Sequence, residues 1–157
     1  LQLSSQIPCR AIVSMGVNCR GEFDYEHFDK NIVLCRRGVG GGCHAAGMAL
    51  RIGRPVGRDM DRALEYFHKG CSMDYAASCN NHAWFRCHGS GKCDERAENY
   101  ARKAVELAVP DERPVYLDTL AYVLCERGEV DAANSAYQNA CRLEPGSDFC
   151  AKSCSSD

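Results

Sequence analysis

The chain has 157 residues, is 45% hydrophobic and carries 19 basic against 21 acidic side chains, for a formal net charge of −2. That balance leaves no basic footprint for nucleic acid, and no apolar run approaches the ~20 residues a membrane-spanning helix needs. Its 12 cysteines, an even number at repeating spacings, favour disulfides and an oxidising compartment over zinc, whose sites usually show close C-x2-C pairs that are absent here.

No signal peptide is visible, and a chain starting at Leu1 fits a leader already removed. Residues 1–8 read as a loose polar lead. Cys9 to Val17 is a short apolar helix, 18–21 a turn, and Asp24 to Cys35 a second helix with Phe28, Ile32 and Cys35 in one row. The bridge of this first hairpin is expected to be Cys9–Cys19, across its own turn. Arg36 to Gly42 then reads as a tight linker closed by Cys35–Cys43. Its four glycines do not make a phosphate loop, because no strand precedes them and no Gly-Lys-Ser/Thr follows.

Two cysteines eight positions apart recur after 36 residues, Cys35/Cys43 and then Cys71/Cys79. A period of this size marks stacked helical hairpins. Between Cys43 and Cys71, Cys43, Gly47 and Leu50 form one helical stripe. The Gly53-Arg-Pro55-Val-Gly57 run breaks the helix and Asp59 caps the next. Small Gly47 and Ala63 let the two helices approach, while Leu50, Tyr66 and Phe67 fill the seam. The string C-x3-G-x2-L-x2-G-x-P-V-x2-D-x3-A-x2-Y-x2-K-G-C resembles a Sel-one-like repeat, a relative of the tetratricopeptide repeat. The cysteines at its ends resemble those of the Helicobacter cysteine-rich proteins. The resemblance implies a superhelix of α/α hairpins that binds protein or peptide.

Ser72 to Ser78 is the next turn, closed by Cys71–Cys79. The third hairpin, 79–107, repeats the small and aromatic positions as Ala83, Ala97 and Tyr100, and Cys87–Cys93 closes its turn. The fourth, 115–141, places Leu117, Leu120, Ala121, Leu124, Gly128, Ala133, Tyr137, Ala140 and Pro145 at tetratricopeptide-like spacings, followed by a Cys141–Cys150 loop. Residues 148–157 read as a capping helix, which puts Cys154 one turn beyond Cys150 and pairs it with Cys125. Cys87–Cys125 ranks second, because neighbouring helix axes lie ~8–10 Å apart and a bridge needs Cα atoms within about 7 Å. The expected fold is one all-α domain: an α/α superhelical solenoid of hairpins 9–35, 43–71, 79–107 and 115–141 with a cap over 148–157, stapled by disulfides.

Aligning the hairpins on Gly47, Ala83 and Ala121 gives the stripe expected to line a concave groove: His44, Met48, Asn80, Asn81, Trp84, His88, Asp118 and Tyr122. Trp84, the sole tryptophan, is weighed between groove anchor and core cap. Asn80 and Asn81 offer amides to an extended main chain, and Asn81 occupies the position that holds peptide backbone in tetratricopeptide relatives. A metal or haem reading of His44, His68, His82 and His88 is weak, because they scatter over repeats and His82 cannot face the way Trp84 does. Asp118 and Glu126, eight residues apart on one helix, are ~12 Å apart along its axis, too far for a paired acid and base.

The resemblance implies a second class, an enzyme acting on β-lactams or the cell wall. That chemistry wants Ser with Lys three residues on, and no S-x-x-K or G-x-S-x-G occurs. A third reading is a mitochondrial intermembrane-space assembly factor, since that compartment also oxidises cysteine. The reading preferred here is a periplasmic or secreted module without cofactor or catalysis, whose partner is a protein or peptide.

Overall fold

The computed structural model describes residues 27–89 and 91–155. The expected helix over residues 9–17 and the Cys9–Cys19 bridge lie outside them. The described residues are all helical, with no strand, and fall into two compact units, up to Met73 and from Asp74 onward.

The first unit holds α1 (Phe28–Arg36), α2 (Gly40–Ile52) and α3 (Met60–Ser72), with α2 packed against both α1 and α3. Helix α1 stops at Gly38, whose φ of 85° is open to glycine at little cost. Gly38 donates its N–H to Cys35 O and Val39 donates to Leu34 O, the paired bonds of a Schellman ending. Helix α2 then starts at Gly40, so three of the four glycines expected in a linker lie inside a helix. Tertiary approach overrides their poor helix propensity: a Cβ on Gly42 would sit 2.5 Å from Leu34 Cβ and 2.9 Å from Asn31 O. On the other side, a Cβ on Gly47 would sit 2.7 Å from the Phe67 ring. Helix α2 ends at Gly53, in the left-handed region, and Asp59 caps α3 by accepting from Arg62 N at 3.0 Å. Phe67, Leu50 and Ala63 are buried, whereas Tyr66 is half-buried, with Lys69 Nζ 5.0 Å from its ring centroid.

The second unit holds α4 (Ala76–Trp84), which runs on into a wider π turn over Phe85–Gly89, then α5 (Glu95–Leu107), α6 (Arg113–Glu126), α7 (Val130–Leu143) and a 3-10 turn, Asp148–Ala151. Consecutive helices pack, and α4 also meets α6. Helix α4 starts three residues before Cys79, its expected beginning. Its core is built largely from alanine: Ala83, Ala97, Ala101, Ala121 and Ala133 are fully buried beside Leu120, Val123, Leu124 and Tyr137. Asp94 caps α5 by accepting from Ala97 N at 3.1 Å. It also receives Arg86 Nε at 2.9 Å and pairs with the Arg86 Nη2. These bonds to Arg86 hold its carboxyl well below the usual range. Pro114 lies in the first turn of α6, where no N–H is needed. Gly128 ends α6 as Gly38 ends α1, with Gly128 N donating to Cys125 O and Glu129 N to Leu124 O.

Of the cap expected over 148–157, Asp148–Ala151 is helical, as a single 3-10 turn. After Ala151 the chain leaves the helix with Lys152 extended and belongs to no regular element through Ser155, because serines compete with helical hydrogen bonds and Cys154 spends its main chain on Asn134. The bonded pairs include Cys35–Cys43, Cys87–Cys93, Cys125–Cys154 and Cys141–Cys150, with Cα–Cα distances of 4.5, 4.2, 5.7 and 4.7 Å. Cys71 and Cys79 are also disulfide-bonded. No described cysteine is a free thiol.

Replacing Gly42 by alanine forces a methyl into backbone that cannot yield, and is expected to destabilise the first unit by about 2–3 kcal/mol. Gly57→Ala, where a Cβ meets nothing within 4 Å, is the control and leaves stability within about 0.5 kcal/mol. Denaturant unfolding of both variants with disulfides intact checks this, and equal midpoints would refute the close-approach account.

Candidate functional site

The eight residues expected to line a groove do not share one environment. His44 and Met48 belong to the first unit, and the other six to the second.

His44 is a correction to the groove assignment, being only 6% exposed. Helix α2 is covered on two sides, by α1 and α3, so the stripe that would face a groove faces packing instead. The His44 ring lies 5.8 Å from that of Phe67. Burial pushes its pKa down to about 4, with a smaller push from the Arg51 charge. Met48, one turn on, is half-buried. Asn80 is likewise only 9% exposed, and its Oδ1 accepts no hydrogen bond among the described residues. It is not presented to a partner. Asn81, beside it, is half-exposed.

The second unit does bring three of the expected residues together. Trp84 ends α4, His88 sits in the π turn one step on, and Tyr122 comes across from α6. The Trp84 and His88 rings stack at 4.9 Å with 17° between their planes. The Tyr122 ring lies 4.9 Å from Trp84 at 48° and 5.9 Å from His88, edge to face. The Tyr122 hydroxyl and His88 Nδ1 are 3.3 Å apart. Such offset and edge arrangements are the favoured ones for aromatic pairs. His88 is exposed, while Trp84 and Tyr122 are half-buried, so the trio is neither core nor free surface. Burial raises the Tyr122 pKa, and the Glu126 carboxylate adds to it. His82 points the other way, its ring 3.9 Å from that of Tyr100.

Asp118 is already engaged. Lys152, from the extended C-terminal segment, donates to its two carboxylate oxygens at 2.7 and 2.8 Å. Two residues later Asn134 clamps the same segment. Its Nδ2 donates to Cys154 O at 3.0 Å, and Cys154 N donates to its Oδ1 at 2.8 Å. Sequence reasoning missed Asn134 and Lys152. The available signal for Asn134 was an asparagine within a helical stretch, where its propensity is poor; Lys152 had none.

Among the described residues no group of three or more His, Cys, Asp or Glu could hold a metal ion, and no helix is long and apolar enough to cross a membrane. The full oxidation of the described cysteines fits an oxidising compartment. The chain matches no family in a scan of known protein families, and a search of curated proteins finds no match.

The buried neutral His44 makes stability depend on pH. Its folded pKa of about 4 lies below the ordinary histidine value of 6.5, so protonation favours unfolding. Its contribution is whole above pH 6.5 and declines as pH falls toward 4. The expected loss is on the order of 2–3 kcal/mol. His44→Gln should flatten that part of the profile while leaving the acid loss below it, to which Asp94 contributes. Parallel profiles between pH 6.5 and 4 would show that His44 is not buried neutral.

Proposed function

We propose that this protein is a helical-repeat scaffold of the Sel-one-like kind that binds a protein or peptide segment in the periplasm or outside the cell, without catalysis. The observation that carries the reading is the half-open aromatic trio Trp84, His88 and Tyr122. A side chain arriving there covers ring surface that is already fixed in place, so little rotamer entropy is lost on binding. Tryptophan and tyrosine supply the most energy per residue at interfaces. The frame beneath is rigid: Cys87–Cys93 and the Arg86–Asp94 pair tie the π turn to the start of α5. The 36-residue cysteine period and the repeat-like string support the same reading.

The test uses the sole tryptophan as its own reporter. Peptides selected from a random library on the oxidised protein should shift Trp84 emission and shield it from acrylamide. His88→Ala and Tyr122→Ala should weaken them by roughly 10- to 100-fold, as hot-spot residues do, with the melting temperature little changed. Selected peptides that leave Trp84 emission untouched would sink the assignment, as would nitrocefin hydrolysis at an enzymatic rate.

A further inference from the structure

A second feature of the same unit lies among side chains of α5, α6 and α7, none of them from the aromatic trio. A cavity of about 520 Å3 opens between them, within the size range of small-ligand pockets. Val105, Leu117 and Leu143 give it an aliphatic lining without an aromatic ring. Leu117 is buried, whereas Leu143 is 54% exposed, which leaves aliphatic surface open to the cavity. Two guanidinium groups border the same cavity, Arg113 from the start of α6 and Arg142 from the end of α7. Neither is paired with a carboxylate among the described residues, where the ion pairs involve other arginines and lysines. Arg113 donates only to Ala108 O, at 3.3 Å. One anion, Glu106, also lines the cavity, which leaves one positive charge in surplus. Asn139 contributes an amide.

We propose that this cavity binds a small amphiphilic carboxylate, its head on Arg113 and Arg142 and its unbranched aliphatic tail along Val105, Leu117 and Leu143. Each part of the lining selects one feature of that ligand. A planar guanidinium matches a carboxylate with two parallel hydrogen bonds. The aliphatic floor rewards a hydrocarbon chain by area removed from water. The absence of a ring from the lining gives an aromatic or nucleobase ligand no stacking partner. Glu106 disfavours a head of more than one negative charge.

The probe is sodium octanoate, below its micelle concentration, titrated into the full oxidised chain and followed by amide chemical shifts. Shifts are expected at Leu117, Asn139 and Leu143. Octan-1-ol should bind about tenfold more weakly or worse, and octyltrimethylammonium should not bind, because the charged hydrogen bonds to the arginines are lost. Arg113→Gln and Arg142→Gln should each weaken octanoate by roughly 3- to 10-fold, and added salt should do the same in part. Glu106→Gln should tighten it by about 2- to 5-fold, a gain that a purely structural role for Glu106 does not produce. Leu143→Asn should weaken octanoate and octanol alike. Equal affinity for octanoate and octanol would overturn the proposal, as would octanoate binding indifferent to both arginines. So would a leucine-ended peptide that binds at these residues while octanoate does not, since that makes the cavity a peptide subsite.

Discussion

Helix backbones in this chain meet across seams lined with glycine and alanine, and most other features answer to that. A fully buried alanine removes little apolar area from water, so a core of alanines gains less from the hydrophobic effect than one of leucines. What it gains is proximity, as at Gly42 and Gly47, where an added Cβ would lie within 3 Å of a neighbour. Proximity brings dispersion contacts but requires that the helices be held in register. Disulfides between residues six to nine apart do that at the bends. On the loop-entropy account each removes about 2–3 kcal/mol of unfolded-state freedom. The cross-links and the small residues are therefore two halves of one solution.

That solution explains which parts of the fold were legible in the sequence. Short cysteine spacings leave few partners within reach, so Cys35–Cys43, Cys87–Cys93 and Cys141–Cys150 could be read directly. The stripe of Leu117, Leu120, Ala121 and Leu124 has helical period, and all four are buried. Gly40 to Gly42 misled because three successive glycines have the propensity of a loop, and only the contact with α1 makes them helical. The tail misled for a related reason. A cysteine four residues beyond Cys150 suggests a helical turn, yet Cys154 reaches Cys125 along a chain that has left the helix, held by an asparagine on a helix far away in sequence.

The site was legible in part, and the division follows the packing. Alignment on Ala83 and Ala121 brings Trp84 and Tyr122 to matching positions on α4 and α6, and these two helices do pack. The same alignment carried back to Gly47 selects His44, but α2 is flanked by helices on both sides and the position is closed. Carried to Asp118 it selects a carboxylate that Lys152 already covers. The cavity bordered by Arg113 and Arg142 had no signal of its own. Leu117 was legible only as part of an apolar helical stripe, and the convergence of α5, α6 and α7 that makes a concavity beside it lies in the tertiary packing.

Asn134 bears on what kind of partner the proposed scaffold would hold. Its amide gives one donor and one acceptor to the N–H and C=O of a single residue, Cys154. A residue inside a helix has both groups committed to its own turns and cannot offer them together. The pairing therefore requires an extended segment, and it reads main chain without regard to side chain. The chain thus already holds one segment of its own by main-chain pairing, with a side chain of that segment, Lys152, fixed separately on Asp118. On the proposed reading, a partner held in the same manner would be an extended segment that sets an apolar side chain on Trp84.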